Sequence, residues 1–208
     1  VESAVKLCSA LLGTEYVDAT LCALRRNPRN KSGLGNTLCT LEDVGLNLDI
    51  DEVTVICSEY TASASELVVS GLRGLDIPVT LIGSTTEGKN FGMDVTRRTI
   101  EGTYLEYAPI TFMCYNAKGF GAWGEGLVPD IDLTAKNSIG VSDEHYPIPR
   151  AAWGDINHDI ALAAAVASVT GRRVSTSAVE ITRCGVVPVM TLEVDRPFVG
   201  VRNYVAEE

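Results

Sequence analysis

Hydrophobic and polar positions recur with two different periods along the chain, and these periods predict the order of helices and strands. An apolar stripe at helical spacing predicts a helix over residues 2–12, ended by Gly13. Residues 15–25 have an extended pattern, and the polar segment 27–33 is typical of a loop or hairpin tip. The first part of the chain is therefore expected to contain a helix, a strand and a turn.

The next segment has the pattern of a strand, a helix and a second strand. Residues 53–57 form a short, β-branched apolar run that predicts a buried strand. Residues 63–75 carry an amphipathic helical pattern, and residues 78–82 form a second buried strand. Such a βαβ unit implies a parallel sheet, which makes the predicted fold class α/β.

The chain after this unit is predicted to be rich in β-structure and loops. Residues 97–116 favour two β segments that are broken near positions 108–109. Residues 119–126 form a glycine-rich loop, and residues 127–150 have an irregular pattern. These segments are expected to add a hairpin or meander to the parallel core.

One more helix is predicted near the end of the chain. Asp155 is a candidate N-cap for a helix that runs to about Thr170, and Gly171 is its predicted stop. Residues 186–194 form a β-like run. We expect one domain over residues 1–170 and a β-rich extension over residues 171–208.

Composition narrows the classes of function. The chain has 208 residues, of which 46% are hydrophobic and 21% charged, as in an ordinary globular protein. Its net charge of −10 argues against nucleic acid and anionic membranes as partners. No apolar run approaches the length of about 20 residues that a membrane span needs.

The cysteine and histidine positions do not predict a metal site. His145 and His158 do not stand at metal-ligand spacing from any cysteine, and no C-x-x-C pair occurs. Buried free thiols are favoured over disulfides, whose pairing the sequence does not determine. The six cysteines are Cys8, Cys22, Cys39, Cys57, Cys114 and Cys184.

Ser63 lies where the first buried strand of the βαβ unit turns into its helix. A serine at this junction is held at the edge of the sheet, next to unpaired amides that stabilise negative charge. The alternative is a capping box, in which Ser63 and Glu66 satisfy the amides at the start of the helix.

Lys89 follows the second strand, in a loop over residues 83–92. Loops after neighbouring parallel strands open at the same edge of a sheet, so this lysine is predicted to approach Ser63. A lysine can act as a general base only when it is neutral, which requires burial or a nearby positive charge. The alternative for Lys89 is an ordinary solvated loop lysine.

Residues 61–67 (TASASEL), followed by a strand and then by Gly88-Lys89, resemble the signature of the C-terminal processing (tail-specific) serine peptidases. The resemblance implies Ser63 as nucleophile, Lys89 as general base and the amide of Ala64 in the oxyanion hole. It also implies a crotonase/ClpP-like βαβ core with β-hairpin additions. Residues 116–131 resemble the family's stretch that ends in a Pro-Asp pair, and residues 1–170 are expected to be the C-terminal portion of the family's catalytic domain.

The resemblance further implies an endopeptidase without a cofactor. Its substrates would be proteins or peptides, cleaved near unstructured C-termini, and its location the bacterial cell envelope, in the periplasm. Nucleic acid and nucleotide are not expected as partners, and a homo-oligomer is left open. A PDZ domain and a glycine that donates to the oxyanion hole are expected upstream of this chain.

The chain departs from the family pattern at one position near the base. The family often has a glutamine four residues after the lysine, where this chain has Met93. Asp94 or Thr86 is a candidate substitute.

Parts of the sequence are also compatible with three other functions. One is a non-catalytic peptide-binding or scaffolding relative that keeps the fold. Another is a crotonase-like acyl-CoA enzyme, against which Ser63 and Lys89 argue. A G-x-G-x-x-G match over residues 119–124 is interpreted as a surface turn, because no helix pattern follows to bind a pyrophosphate.

The two histidines give little support to a Ser-His-Asp triad. His158 is predicted to be a surface or capping residue, and only His145 and His158 could supply the histidine of such a triad.

Overall fold

Three α-helices and nine strands make up the part of the chain described by the computed structural model, residues 1–29, 35–134 and 153–171. The helices are α1 (Glu2–Leu11), α2 (Ala64–Gly74) and α3 (Ile160–Thr170). The strands are β1 (Thr20–Arg26), β2 (Thr37–Thr40), β3 (Val53–Cys57), β4 (Val79–Gly83), β5 (Phe91–Met93), β6 (Thr96–Ile100), β7 (Thr103–Tyr107), β8 (Ile110–Asn116) and β9 (Ile131–Asp132).

A parallel sheet of order β3-β4-β9 is built on the predicted βαβ unit. Strand β3 pairs with β4 in parallel from Val53 opposite Val79 to Cys57 opposite Gly83, and α2 connects the two strands. The predictions of α1, β3, α2 and β4 are confirmed. Strand β9 adds to β4 in parallel, so residues 127–150 are not wholly irregular as predicted.

An antiparallel sheet of order β2-β1-β8-β5 forms the second layer. Strand β8 pairs with β1, from Cys22 opposite Asn116 to Arg26 opposite Phe112. The predicted break at positions 108–109 is confirmed, but a turn at 101–102 also divides the preceding segment into the hairpin β6–β7. Residues 14–16 form a 3-10 helix and not the predicted extended structure.

Helix α2 contacts α1 and strands of both sheets, which makes it the centre of the core. Its apolar face carries Leu67, Val69 and Leu72, which are buried with Leu21 of β1 and Leu81 of β4. Burying one leucine side chain contributes about 1.5–3 kcal/mol, so this cluster is a main source of stability. The helices packed on a parallel and an antiparallel sheet confirm the predicted α/β class in its mixed form.

Helix α3 begins later than its sequence pattern predicts. Asp159 and not Asp155 is the N-cap, because its Oδ1 accepts from the amide of Leu162 at 2.9 Å. Asp155 instead accepts from the amide of Asn157 in a preceding turn, where it also contacts His158 Nδ1 at 2.5 Å. His158 is thus outside the helix and partly exposed, which agrees with the surface role and corrects its predicted place in the helix.

Replacing Asp159 with alanine is expected to lower the unfolding free energy by about 1 kcal/mol. The substitution removes the cap of α3 and also the acceptor of the Gly154 amide. Asp155→Ala is the matched control, for which thermal or urea unfolding should show a smaller loss. A larger loss in the Asp155 variant would contradict the assignment of the cap.

Several predictions fall outside the described residues. These are the 186–194 β-like run, the extension over residues 172–208, His145 and Cys184. Within residues 1–29, 35–134 and 153–171, no helix is long and apolar enough to cross a bilayer. The same residues include no group of His, Cys, Asp and Glu arranged to hold a metal ion.

Candidate active site

Ser63 has an unusual backbone conformation at the turn between β3 and α2. Its φ is 57° and its ψ is −114°, a region that residues with a Cβ rarely adopt. Such strain costs on the order of 1–3 kcal/mol and is concentrated at functional sites, where it presents a side chain in one direction. A strained serine at a strand-to-helix turn is also the geometry of the nucleophile elbow in α/β-hydrolases.

The amide of Ala64 lies directly after this turn, at the first position of α2. The first amides of a helix have no partner within the helix and point out of its N-terminus, where the helix dipole favours negative charge. Among the described backbone contacts, the Ala64 amide donates to no carbonyl. It is thus free to donate to an oxyanion formed at Ser63.

Ser63 and Lys89 line the same cavity, as their positions after neighbouring parallel strands predict. The cavity has a volume of about 180 Å³. Its wall is mainly apolar and includes Leu67, Phe91, Met93, Phe112, Cys114 and Trp123. Within the described residues, no hydrogen bond joins Ser63 Oγ to Lys89 Nζ, although both residues line the cavity.

Glu66 connects the two loops that carry these side chains. It is 0% exposed, and its Oε2 accepts from the amides of both Ser63 and Lys89 at 2.8 Å. Its Oε1 accepts from Thr86 Oγ1 at 2.5 Å and from the Gly88 amide at 2.7 Å. One buried carboxylate thus fixes the backbone on both sides of the candidate dyad.

Further hydrogen bonds hold the Lys89 loop in place. The amide of Glu87 donates to Thr61 O at 3.0 Å, which joins this loop to the turn before α2. On the other side, Thr86 Oγ1 accepts from the Leu127 amide at 2.7 Å, and the Thr86 amide donates to Leu127 O at 3.2 Å. The glycine-rich segment over residues 119–126 is predicted to be a surface turn. It leads directly into Leu127, whose backbone is hydrogen-bonded to Thr86 of the Lys89 loop.

The position that the family fills with glutamine has a different role here. Met93 contributes to the apolar wall of the cavity. Asp94 pairs with Arg26 at 3.3 Å, and this hydrogen bond from Arg26 lowers the pKa of the Asp94 carboxyl. Thr86 donates to Glu66. Neither Asp94 nor Thr86 contacts the Lys89 side chain within the described residues.

Two features of the site were not predicted from the sequence. The predicted capping box is present, since the Ser63 side chain accepts from the Glu66 amide and the Glu66 side chain accepts from the Ser63 amide. The sequence did not predict that Glu66 also binds the distant Lys89 loop. No signal in the sequence pointed to this second role, because the burial of Glu66 is visible only in the structure. Trp123, 1% exposed, was read as part of a surface turn but closes the cavity wall.

Comparison with solved structures identifies the fold. A protein from Bacteroides fragilis NCTC 9343, assigned to the S41 proteases, superposes with a TM-score of 0.63 over 82% of this chain, at 20% sequence identity. The fold is similar to that of an S41 protease. This chain spans 41% of the length of that S41 protease. The fold agrees with the resemblance expected from the Ser63 and Lys89 motifs.

Other matches are more distant. The photosystem II D1 C-terminal processing protease aligns with a TM-score of 0.45 at 21% identity, over 64% of this chain and 31% of that protein. A lipoprotein from Streptococcus agalactiae aligns with a TM-score of 0.43 at 18% identity, over 62% of this chain and 44% of its own. The sequence matches no protein-family model and no curated protein.

Proposed function

We propose that this chain carries the nucleophile and base of a serine peptidase of the C-terminal processing type. Ser63 is the nucleophile, Lys89 the general base, and the amide of Ala64 one donor of the oxyanion hole. The observation that carries the proposal is the cavity shared by Ser63 and Lys89, with both backbones held by one oxygen of Glu66. The strained conformation of Ser63 gives independent support.

The proposed reaction is acyl transfer through a covalent intermediate. Neutral Lys89 Nζ takes the proton of Ser63 Oγ, which attacks the scissile carbonyl, and the Ala64 amide donates to the resulting oxyanion. The lysine returns the proton to the leaving amine, and water then hydrolyses the acyl-enzyme. Because Ser63 Oγ and Lys89 Nζ share no hydrogen bond here, the lysine side chain has to approach the serine when substrate binds.

The substrate class follows from the cavity wall and from the resemblance. An apolar cavity of about 180 Å³ beside Ser63 suits an apolar side chain of a peptide. The resemblance to tail-specific peptidases adds that cleavage occurs near unstructured C-termini, in the bacterial periplasm. It also assigns a crotonase/ClpP-like core to the parallel sheet and α2.

Labelling with a fluorophosphonate tests the proposed dyad. Such a probe reacts with an activated serine, and in the full-length protein we expect labelling that is lost in both Ser63→Ala and Lys89→Ala. Ser65→Ala is the matched control for the serine, because Ser65 lies two positions away and is exposed. Lys6→Ala is the control for loss of a lysine, because Lys6 pairs with Glu2 on the surface of α1.

Other labelling results would contradict specific parts of the proposal. Labelling that persists in Ser63→Ala would place the nucleophile elsewhere. If only Lys89→Ala keeps its labelling, the lysine is not the base. A folded protein that takes no label but binds peptides would favour the non-catalytic relative.

A further inference from the structure

Two thiols face each other across the edge of the antiparallel sheet. Cys22 of β1 and Cys39 of β2 are directly opposite in the antiparallel register. Residues directly opposite on antiparallel strands project to the same face, with Cβ atoms about 4.5–5.5 Å apart. A disulfide needs Cβ atoms about 3.5–4.5 Å apart, so a small approach of the strands is sufficient to form one.

A third thiol, Cys114, is a less suitable partner. It lies on β8 opposite Leu24, two residues along β1 from Cys22, so its relation to Cys22 is diagonal. Diagonal neighbours are separated by about 7–8 Å between Cα atoms, which is beyond the usual span of a disulfide. The geometry therefore selects Cys39 over Cys114.

The two thiols differ in exposure in a way that suits stepwise oxidation. Cys22 is 0% exposed, whereas Cys39 is only partly buried on the edge strand β2. Burial, and next the adjacent Cys39 thiol, raise the pKa of Cys22 well above its ordinary value. Cys39 is consequently the entry point for a reagent, and Cys22 is the thiol that completes the bond.

We propose that Cys22 and Cys39 form a dithiol site that a small-molecule disulfide oxidises to an intramolecular disulfide. Cys39 loses its proton and attacks the reagent disulfide RSSR, which forms a mixed disulfide and releases one thiolate RS⁻. Cys22 then loses its proton and attacks Cys39 Sγ, which forms the Cys22–Cys39 bond and releases the second RS⁻. The protein loses two electrons and two protons, and the reagent becomes two thiols. The product fastens the edge strand β2 to β1.

Fragment mapping after oxidation of the native chain tests this site. The protein is incubated with glutathione disulfide, its remaining thiols are blocked with N-ethylmaleimide, and it is digested with trypsin together with a glutamyl endopeptidase. Cleavage after Lys, Arg and Glu places Cys22 in fragment 16–25 and Cys39 in fragment 32–42. Cys8, Cys57 and Cys114 then lie in the separate fragments 7–15, 53–59 and 107–118.

We expect fragments 16–25 and 32–42 to appear as one linked species, whose mass equals their sum less the two thiol hydrogens. A dithiol reductant should separate them. The linked species should be lost in Cys22→Ser and in Cys39→Ser, and kept in Cys57→Ser and Cys114→Ser. Because Cys39 is partly exposed, Cys39→Ser remains informative if Cys22→Ser does not fold.

Three results would overturn the proposal. One is a link from fragment 16–25 to fragment 107–118, which would make Cys114 the partner. Another is a stable glutathione adduct on Cys39 of the unmodified sequence with no link to Cys22. The third is recovery of fragments 16–25 and 32–42 of the unmodified sequence as separate, unlinked species after the incubation. The proposal is independent of the peptidase assignment, since none of these readouts requires activity.

Discussion

Replacement of Glu66 by alanine is expected to lower the free energy of unfolding by at least about 3 kcal/mol. The substitution leaves four donors without an acceptor: the amides of Ser63, Gly88 and Lys89, and the hydroxyl of Thr86. Each buried donor that loses its partner costs about 1–3 kcal/mol, and entering water would reduce part of the sum. Glutamine does not restore the site, because its NH₂ group faces two of these donors.

Chemical denaturation of the Glu66→Ala variant measures this loss. Glu87→Ala is the matched control, because Glu87 is an exposed glutamate of the Lys89 loop whose contact to Thr61 is made by the backbone. We also expect fluorophosphonate labelling of Ser63 to fall in the Glu66 variant even under folding conditions, since the two loops lose their common acceptor. If the Glu66 and Glu87 variants unfold at the same denaturant concentration, the carboxylate does not have this role.

Replacement of Gly88 by alanine is expected to cost about 2–5 kcal/mol, from two separable causes. Gly88 has a φ of +91°, which adds about 1–2 kcal/mol of strain for a residue with a Cβ. A Cβ at this position would also lie 2.4 Å from Gly124 O and 2.6 Å from the Gly126 amide nitrogen. These are backbone atoms, so relief requires a shift of the whole segment, typically at a further 1–3 kcal/mol.

Gly102→Ala separates the two causes. Gly102 has a φ of +81° in the β6–β7 turn, but nothing lies within 4 Å of a Cβ built on it. Its alanine variant should therefore show the strain alone, and the difference between the two variants measures the collision at Gly88. Equal losses in unfolding free energy would mean that the segment around Gly124 moves aside without cost.

The sequence alone was sufficient to predict the helices and strands whose hydrophobic pattern is local. Helix α1 and the β3–α2–β4 unit follow from periodicities that extend over no more than about a dozen residues. The candidate dyad could be placed at one sheet edge because parallel strands open their loops on the same side. The cavity that Ser63 and Lys89 share agrees with this placement.

The parts that could not be predicted depend on contacts between distant segments. Strand β8 pairs with β1 across about 90 residues, and no local pattern records that register. The predicted start of α3 was wrong, because Asp155 and Asp159 are equally suitable N-caps by sequence. They are distinguished by the packing of Ile160 against Ile82 and Leu133, which involves residues distant in the sequence. Glu66 was underestimated because a capping box already explained it.

The candidate dyad and part of the cavity wall come from different sheets of the fold. Ser63 and Lys89 lie in loops after strands of the parallel sheet, whereas Phe91, Met93 and Phe112 of the cavity wall belong to the antiparallel sheet. The hydrogen bonds of Glu66 that hold the Ser63 and Lys89 backbones involve none of these wall side chains. Mutation can therefore remodel the wall while the loops of the candidate dyad keep their supports. Under the proposed function, this arrangement would let substrate preference evolve separately from reactivity.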